Sequence, residues 1–217
     1  MSTLLVVGAG PRLGGAIARR FGADGYDVAI VSHDEAALAK LGSTLQGEGI
    51  TTGWAVADIA DAESLCAAIG RFAEHTGGID VAVHNVSVWR EVSMLSLTPE
   101  QLFADVHAGA ASLLTIAQAL APAMIERGGG TILATGSAAA DAPGPGVPTL
   151  GVQKAALRSL IRSLALELGP QGVHCATVTI NGVLGAPGFD PASIADLYFA
   201  IASEPREAWR TVVPYDG

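Results

Sequence analysis

A short apolar run, Thr3–Val7, leads directly into Gly8-Ala9-Gly10-Pro11-Arg12-Leu13-Gly14-Gly15, and a segment with helical spacing follows. Glycines at this density permit a tight turn and let backbone amides come close to a ligand. The helix that starts behind them favours negative charge, so the combination suits a pyrophosphate, as in a bound dinucleotide. The spacing departs from G-x-G-x-x-G, because Gly14 follows Gly10 by four positions. A second group of residues stands much later. Ser137 closes an apolar run and offers a hydroxyl, while Lys154 is one of only two lysines, the other being Lys40. Its neighbours Gly151, Val152, Ala155 and Ala156 are small or apolar, so Lys154 does not belong to a charged face.

The elements that must hold these residues alternate along nearly the whole chain. Strands are expected at Thr3–Val7, Asp27–Ser32, Thr52–Ala57, Ile79–Val83, Thr131–Thr135, Val173–Thr179 and a short run at Arg210–Val213. Between them, helical spacing covers Leu13–Phe21, Asp34–Leu45, Asp61–His75, Pro99–Arg127, Thr149–Leu168 and Pro191–Ser203. Strands that alternate with helices pair in parallel through right-handed crossovers. The expected fold is therefore α/β: a doubly wound, mostly parallel, Rossmann-like sheet with helices on both faces. No linker or repeat interrupts residues 1–217, and the Pro/Gly cluster at Ala142–Pro148 reads as a loop, so one domain is expected.

Composition narrows the function. The chain has 217 residues, half of them hydrophobic, 15% charged, with a net charge of −9. Such a chain can bury a sizeable core and is not disordered. Its acidity offers no basic footprint for nucleic acid or anionic lipid. The two cysteines, Cys66 and Cys175, lie far apart and are read as buried apolar thiols; neither a disulfide framework nor a metal site is expected. Met1–Gly10 has no basic segment and no room for an apolar leader core, so a secretory leader is not expected. Val106–Ile125 carries no Asp, Glu, Lys or Arg, but it includes His107, Ser112, Thr115, Gln118 and Pro122 and is rich in alanine. It reads as a helix packed in a core or a subunit interface, in a cytoplasmic protein without a membrane.

The glycine turn resembles that of the short-chain dehydrogenase/reductase family, which usually reads TGxxxGxG. Gly8 and Gly14 match its first and third glycines, and Arg12 replaces the second. The string GAGPRLG is closer still to a divergent branch with GAGPGLG. Later segments fall in the family's order. Ala57-Asp58-Ile59 resembles the acidic motif that contacts adenine, and His84-Asn85-Val86-Ser87 stands where NNAG follows the fourth strand. Gly130–Ser137 resembles the strand ending in the catalytic serine, and Asn181-Gly182 replaces Pro-Gly after the sixth strand, with Val183 and Leu184 offering backbone to the carboxamide. Asp190 to Gly217 resembles the closing helix and strand.

The resemblance implies an Asn, a Ser, a Tyr and a Lys at the chemical centre. The Tyr is the acid/base, the Lys lowers its pKa and binds the nicotinamide ribose, the Ser orients the carbonyl, and the Asn supports a proton relay. Ser137 and Lys154 match. His107 stands in place of Asn, and Leu150 in place of Tyr. Leucine has no proton to give. The tyrosines, Tyr26, Tyr198 and Tyr215, are distant in sequence, though Tyr198 falls where the family closes over substrate; His84 and His107 are further candidates to relay a proton. Ala186 removes the family's Thr hydroxyl, and only Ala186–Phe189 remain of the substrate lid.

Cofactor choice turns on the end of the second strand. NAD-binding folds usually hold a carboxylate there, but this chain has Ser32 and then His33, and Asp34 reads as the cap of the next helix. With Arg12 and His33 as donors to a 2′-phosphate, NADP(H) is expected over NAD(H). The expected function is an oxidoreductase acting on a small carbonyl or alcohol, the alternative being a nucleotide-binding sensor or partner subunit without catalysis. Leu157, Leu160, Ile161, Leu164 and Leu168 recur at helical spacing, which with Val106–Ile125 points to a homodimer or homotetramer with Arg158 and Arg162 near its edge.

Overall fold

The computed structural model describes residues 2–217. Seven strands, β1 (Thr3–Val7), β2 (Asp27–Ser32), β3 (Thr52–Val56), β4 (Val81–His84), β5 (Gly130–Ser137), β6 (Val173–Ile180) and β7 (Val212–Tyr215), form one sheet. Their order is β3-β2-β1-β4-β5-β6-β7, and every pair is parallel. The helices are α1 (Leu13–Ala23), α2 (Glu35–Gly47), α3 (Ala62–Thr76), α4 (Pro99–Val106), α5 (Ser112–Glu126), α6 (Pro148–Leu168) and α7 (Pro191–Ala202). This is the doubly wound sheet the alternation predicts.

Side-chain alternation along β1 divides the core. Leu4 and Val6 point to one face, where Ile17 and Phe21 of α1, Leu41 of α2 and Ile194 of α7 cover them. Leu5 and Val7 point to the other, beneath Leu65 of α3, Ile116 of α5 and Ile161 of α6. The side chains of Leu4, Leu5, Val6 and Val7 are fully buried, each worth about 1.5–3 kcal/mol relative to exposure. Local chemistry fixes the helix starts. Asp34, Asp61 and Asp190 accept first-turn amides, and Thr98 forms a reciprocal capping box with Gln101.

Some elements depart from expectation. The helix expected over Pro99–Arg127 is broken by a π turn at His107–Ala111. There α6 comes so close that a Cβ added at Gly109 would lie 2.1 Å from Gln153 Oε1. Strand β7 sits at Val212–Tyr215 rather than Arg210–Val213, its register with β6 running from Thr177↔Val212 to Ile180↔Tyr215. Cys175 is buried as expected, but Cys66 is exposed. It follows Leu65, which points to the sheet, and one helical step turns it outward. By length and composition Pro99–Glu126 would span a membrane, yet half of its most apolar stretch is buried, with Leu113, Ile116, Leu120 and Met124 packed in the core.

Candidate functional site

Strand order reverses between β1 and β4, because β2 and β3 lie to one side and β5 to β7 to the other. In open α/β sheets ligands bind outside the carboxyl ends of the strands at such a switch point. A cavity of about 420 Å³ opens there, walled by the glycine turn, the ends of β4, β5 and β6, and the first turns of α6.

Three glycines of the turn meet different surroundings. Gly8 has φ +81°, and a Cβ there would lie 2.5 Å from Asn85 O and 2.8 Å from Val86 Cγ2. A Cβ on Gly14 would stand 3.0 Å from Ala9 Cα. At Gly10 nothing lies within 4 Å, so bare backbone faces the cavity. Helix α1 then starts without a side-chain cap, which leaves its first amides without a protein side-chain acceptor. These features fit the phosphates of a dinucleotide.

Asn85 ties the turn to the sheet. Its Nδ2 donates to Gly8 O at 3.0 Å, and its Oδ1 accepts from Thr135 Oγ1 at 2.8 Å. Thr135 thereby spends its only proton, so Tyr198 is the donor in the 2.7 Å contact between their hydroxyls. Tyr198 is fully buried, and burial raises its pKa well above the ordinary phenol value. It is a core residue outside the cavity wall, not a substitute acid.

Lys154 is 2% exposed, and its Nζ donates to Val86 O and Thr135 O, each at 2.8 Å. Burial lowers its pKa to about 7. Ser137 Oγ accepts from Ala139 N at 3.2 Å, which leaves its proton free for the cavity. Leu150 stands one turn before Lys154 on the same wall. The loop after β4 is pinned above them. Gln153, fully buried, exchanges two 3.0 Å hydrogen bonds with the backbone of Val88, and Arg90 grips the buried Asp105 bidentately at 2.7 and 2.8 Å.

The cavity wall gathers Gly8, Gly10, Arg12, Leu13, Gly14, Asn85, Ser137, Lys154 and Gly182. Val86 contributes its carbonyl to Lys154 from just behind the wall. Ser32 ends β2, His33 follows it, and Asp58 and Ile59 follow the carboxyl end of β3, all beyond that wall; Asp58 Oδ1 accepts from Ala60 N at 2.9 Å. Val183 is 75% exposed. Arg12 donates to the carbonyl of Leu184, spanning from the glycine turn to the segment after β6.

Two expectations are corrected. His107 is exposed at the start of the π turn, has no side-chain hydrogen bond among the described residues, and is not part of the wall. The π turn sets Gly109 and Ala110 inward instead, so His107 leaves the catalytic set. His84 is fully buried with Nε2 2.8 Å from Ser112 Oγ, and burial, reinforced by the charge of Lys154, lowers its pKa to about 3. It is neutral at working pH and relays no proton there. Sequence reasoning missed Ser87, Trp89 and Thr135 in the wall; for the last, the available signal was a threonine at the carboxyl end of β5, two positions before Ser137.

Residues 2–188 match the family model described as short chain dehydrogenase. The human protein named dehydrogenase/reductase SDR family member 4 is 33% identical over 173 residues, 78% of this chain and 62% of that protein. Oxidoreductase UcpA of Escherichia coli (strain K12) is 31% identical over 195 residues, 89% of this chain and 71% of that one. The match thus spans about three fifths of the first of these relatives. Among solved structures, a metagenomic short-chain oxidoreductase in complex with NADP superposes with TM-score 0.90 at 24% identity, covering 98% of this chain and 96% of that one. A gluconate 5-dehydrogenase from Burkholderia cenocepacia J2315, in complex with NADP and tartrate, gives 0.88 at 22%, covering 100% and 94%. At these identities the structural likeness is one of fold.

Proposed function

Because this chain belongs to the short-chain dehydrogenase family, we propose that it is an NADP(H)-dependent oxidoreductase interconverting a carbonyl compound and an alcohol, with residues 1–217 acting as one dinucleotide-binding domain. The observation that carries this reading is Lys154, a buried amine that opens on the same cavity as the glycine turn. In this reading Gly8, Gly10, Leu13 and Gly14 hold the pyrophosphate. Asp58 and Ile59 meet the adenine, and Asn85, Val86, Gly182 and Val183 frame the nicotinamide half. The cofactor, when bound, supplies or takes up a hydride. The chain does the rest: Ser137 offers its hydroxyl proton to the substrate oxygen, and Leu150, Ile180 and Leu184 keep that part of the wall apolar. Consumption of reduced cofactor against a panel of aldehydes and ketones tests the reading. Stoichiometric appearance of the alcohol is expected, whereas cofactor binding without consumption would favour a nucleotide sensor.

NADP(H) is the proposed cofactor because Ser32 places no carboxylate against a 2′-phosphate and His33, exposed beside it, can donate to one. Arg12 is the third contributor, turning from Leu184 to the phosphate. One charge-assisted hydrogen bond contributes about 1.5–3 kcal/mol, so calorimetric titration is expected to give at least about tenfold tighter binding of NADPH than NADH. Arg12→Ala should narrow that gap; equal affinities in the wild type would reject the preference.

A homo-oligomer, most simply a dimer, in the cytoplasm completes the proposal. Helix α6 spends Leu157, Ile161 and Leu168 on the core, but Val152 and Leu166 remain 43% and 81% exposed, with Phe103 of α4 at 70% and Leu114 of α5 at 40%. Light scattering at micromolar concentration is expected to report about twice the chain mass of 21.9 kDa. A mass near a single chain would reject the assembly.

A further inference from the structure

Hydride transfer to a carbonyl leaves an oxygen that needs a proton, and the residue at the family's tyrosine position is Leu150. The other candidates are accounted for. The phenol of Tyr198 is sealed in the core and donates to Thr135. Tyr215 donates to Gly188 O at 3.1 Å, and Tyr26 precedes β2, at the end of the strand opposite the cavity. The guanidinium of Arg12 does not deprotonate in proteins, and a serine hydroxyl such as Ser137 is a poor acid without a base beside it. One group remains.

We propose that Lys154 is itself the proton donor, its ammonium reaching the substrate oxygen from the wall that Leu150 leaves without a phenol. This rests on the hydride-transfer reading given above. An ammonium has three N–H bonds; two are fixed on Val86 O and Thr135 O at 2.8 Å, and the third has no protein acceptor among the described residues. The two fixed bonds aim the nitrogen, and the third is available to a ligand in the cavity. No carboxylate lines that cavity to hold the ammonium charged. The charged and titratable groups around it are few. His84 on β4 is neutral, Arg12 stands on the cavity wall at the glycine turn, and Asp105 on α4 is engaged by Arg90. Burial accordingly lowers the Lys154 pKa to about 7, so its proton is available near neutrality.

The step balances. As the carbonyl carbon receives the hydride, the C=O electron pair moves onto oxygen. The Nζ–H bond breaks with its pair left on nitrogen, and the O–H bond forms. The alcohol leaves a neutral amine, which regains its proton from bulk solvent through the cavity mouth, so each reduction takes up one proton from solution. In alcohol oxidation the neutral amine accepts the proton. Reduction therefore falls as pH rises through the lysine pKa, and oxidation rises over the same interval.

With only two lysines in the chain, lysine labelled with ¹³C at Cε gives two side-chain signals, and Lys40→Arg at an exposed position assigns them. In the cofactor-free protein the Lys154 signal is expected to titrate near pH 7. The pH profile of carbonyl reduction should share that midpoint. Lys154→Arg keeps a positive charge with no titratable proton and is expected to bind the cofactor but lose at least about 100-fold in kcat. A Lys154 midpoint above about 9, or turnover preserved in Lys154→Arg, overturns the proposal while leaving hydride transfer standing. No turnover by the wild type at any pH overturns the hydride-transfer reading, and this proposal with it.

Discussion

Lys154→Met is expected to lower the turnover of carbonyl reduction by about 10²–10⁴-fold, the usual cost of removing a positioned acid, while the far-UV circular dichroism stays unchanged. Methionine fills nearly the same volume without a proton. It also removes the donors to Val86 O and Thr135 O, and a buried acceptor left unsatisfied costs about 1–3 kcal/mol. Against that stands the relief of desolvating an amine that is 2% exposed with no carboxylate on the cavity wall. The two effects oppose each other, so stability in urea should change little. Steady-state kinetics beside an unfolding titration separate the loss of chemistry from loss of fold. Turnover within a few-fold of the wild type would contradict a catalytic lysine.

Gly8→Ala is expected to damage both stability and cofactor binding. The backbone at φ +81° disfavours any side chain, and the new methyl would lie 2.5 Å from Asn85 O. Strain of this kind costs about 1–3 kcal/mol, before the displacement of Asn85 and of its hydrogen bonds to Gly8 O and Thr135 is counted. At about 2–4 °C per kcal/mol for a chain of this size, thermal melting should occur roughly 10 °C lower. Gly10→Ala is the control, because nothing lies within 4 Å of the added methyl. It should leave the melting temperature in place and weaken only the cofactor. Equal melting temperatures for both variants would show that the turn is not packed against Asn85.

The parts of this fold that depend on local pattern were legible in the sequence. Leu4–Val7, apolar throughout, marked a strand covered on both faces, and the glycines after it marked the ligand end of that strand. Asp34 was legible as a cap, and it does accept the amide of Ala37 at 3.0 Å. Lys154 stood out because a lysine among small apolar residues has no solvated face to join. His107 was misread because its position in the motif order says nothing about the helix face it occupies. A π turn changes that face, and within it Gly109 packs against Gln153, a residue of a distant segment. The chain of hydroxyls and amide from Tyr198 through Thr135 to Asn85 was equally hidden. It joins α7, β5 and the loop after β4, and only the register of the sheet brings those three together.

Transfer of deuterium from NADPH labelled at C4 to a panel of aldehydes and ketones tests the central claim most directly. The account predicts alcohols carrying one deuterium at the carbinol carbon with the wild-type protein, at a rate that falls as pH rises through about 7, the Lys154 pKa. Under the same conditions Lys154→Met should give almost none. A protein that binds NADPH in this cavity and transfers no label to any carbonyl, at any pH, would contradict the account and leave a nucleotide-binding protein without hydride chemistry.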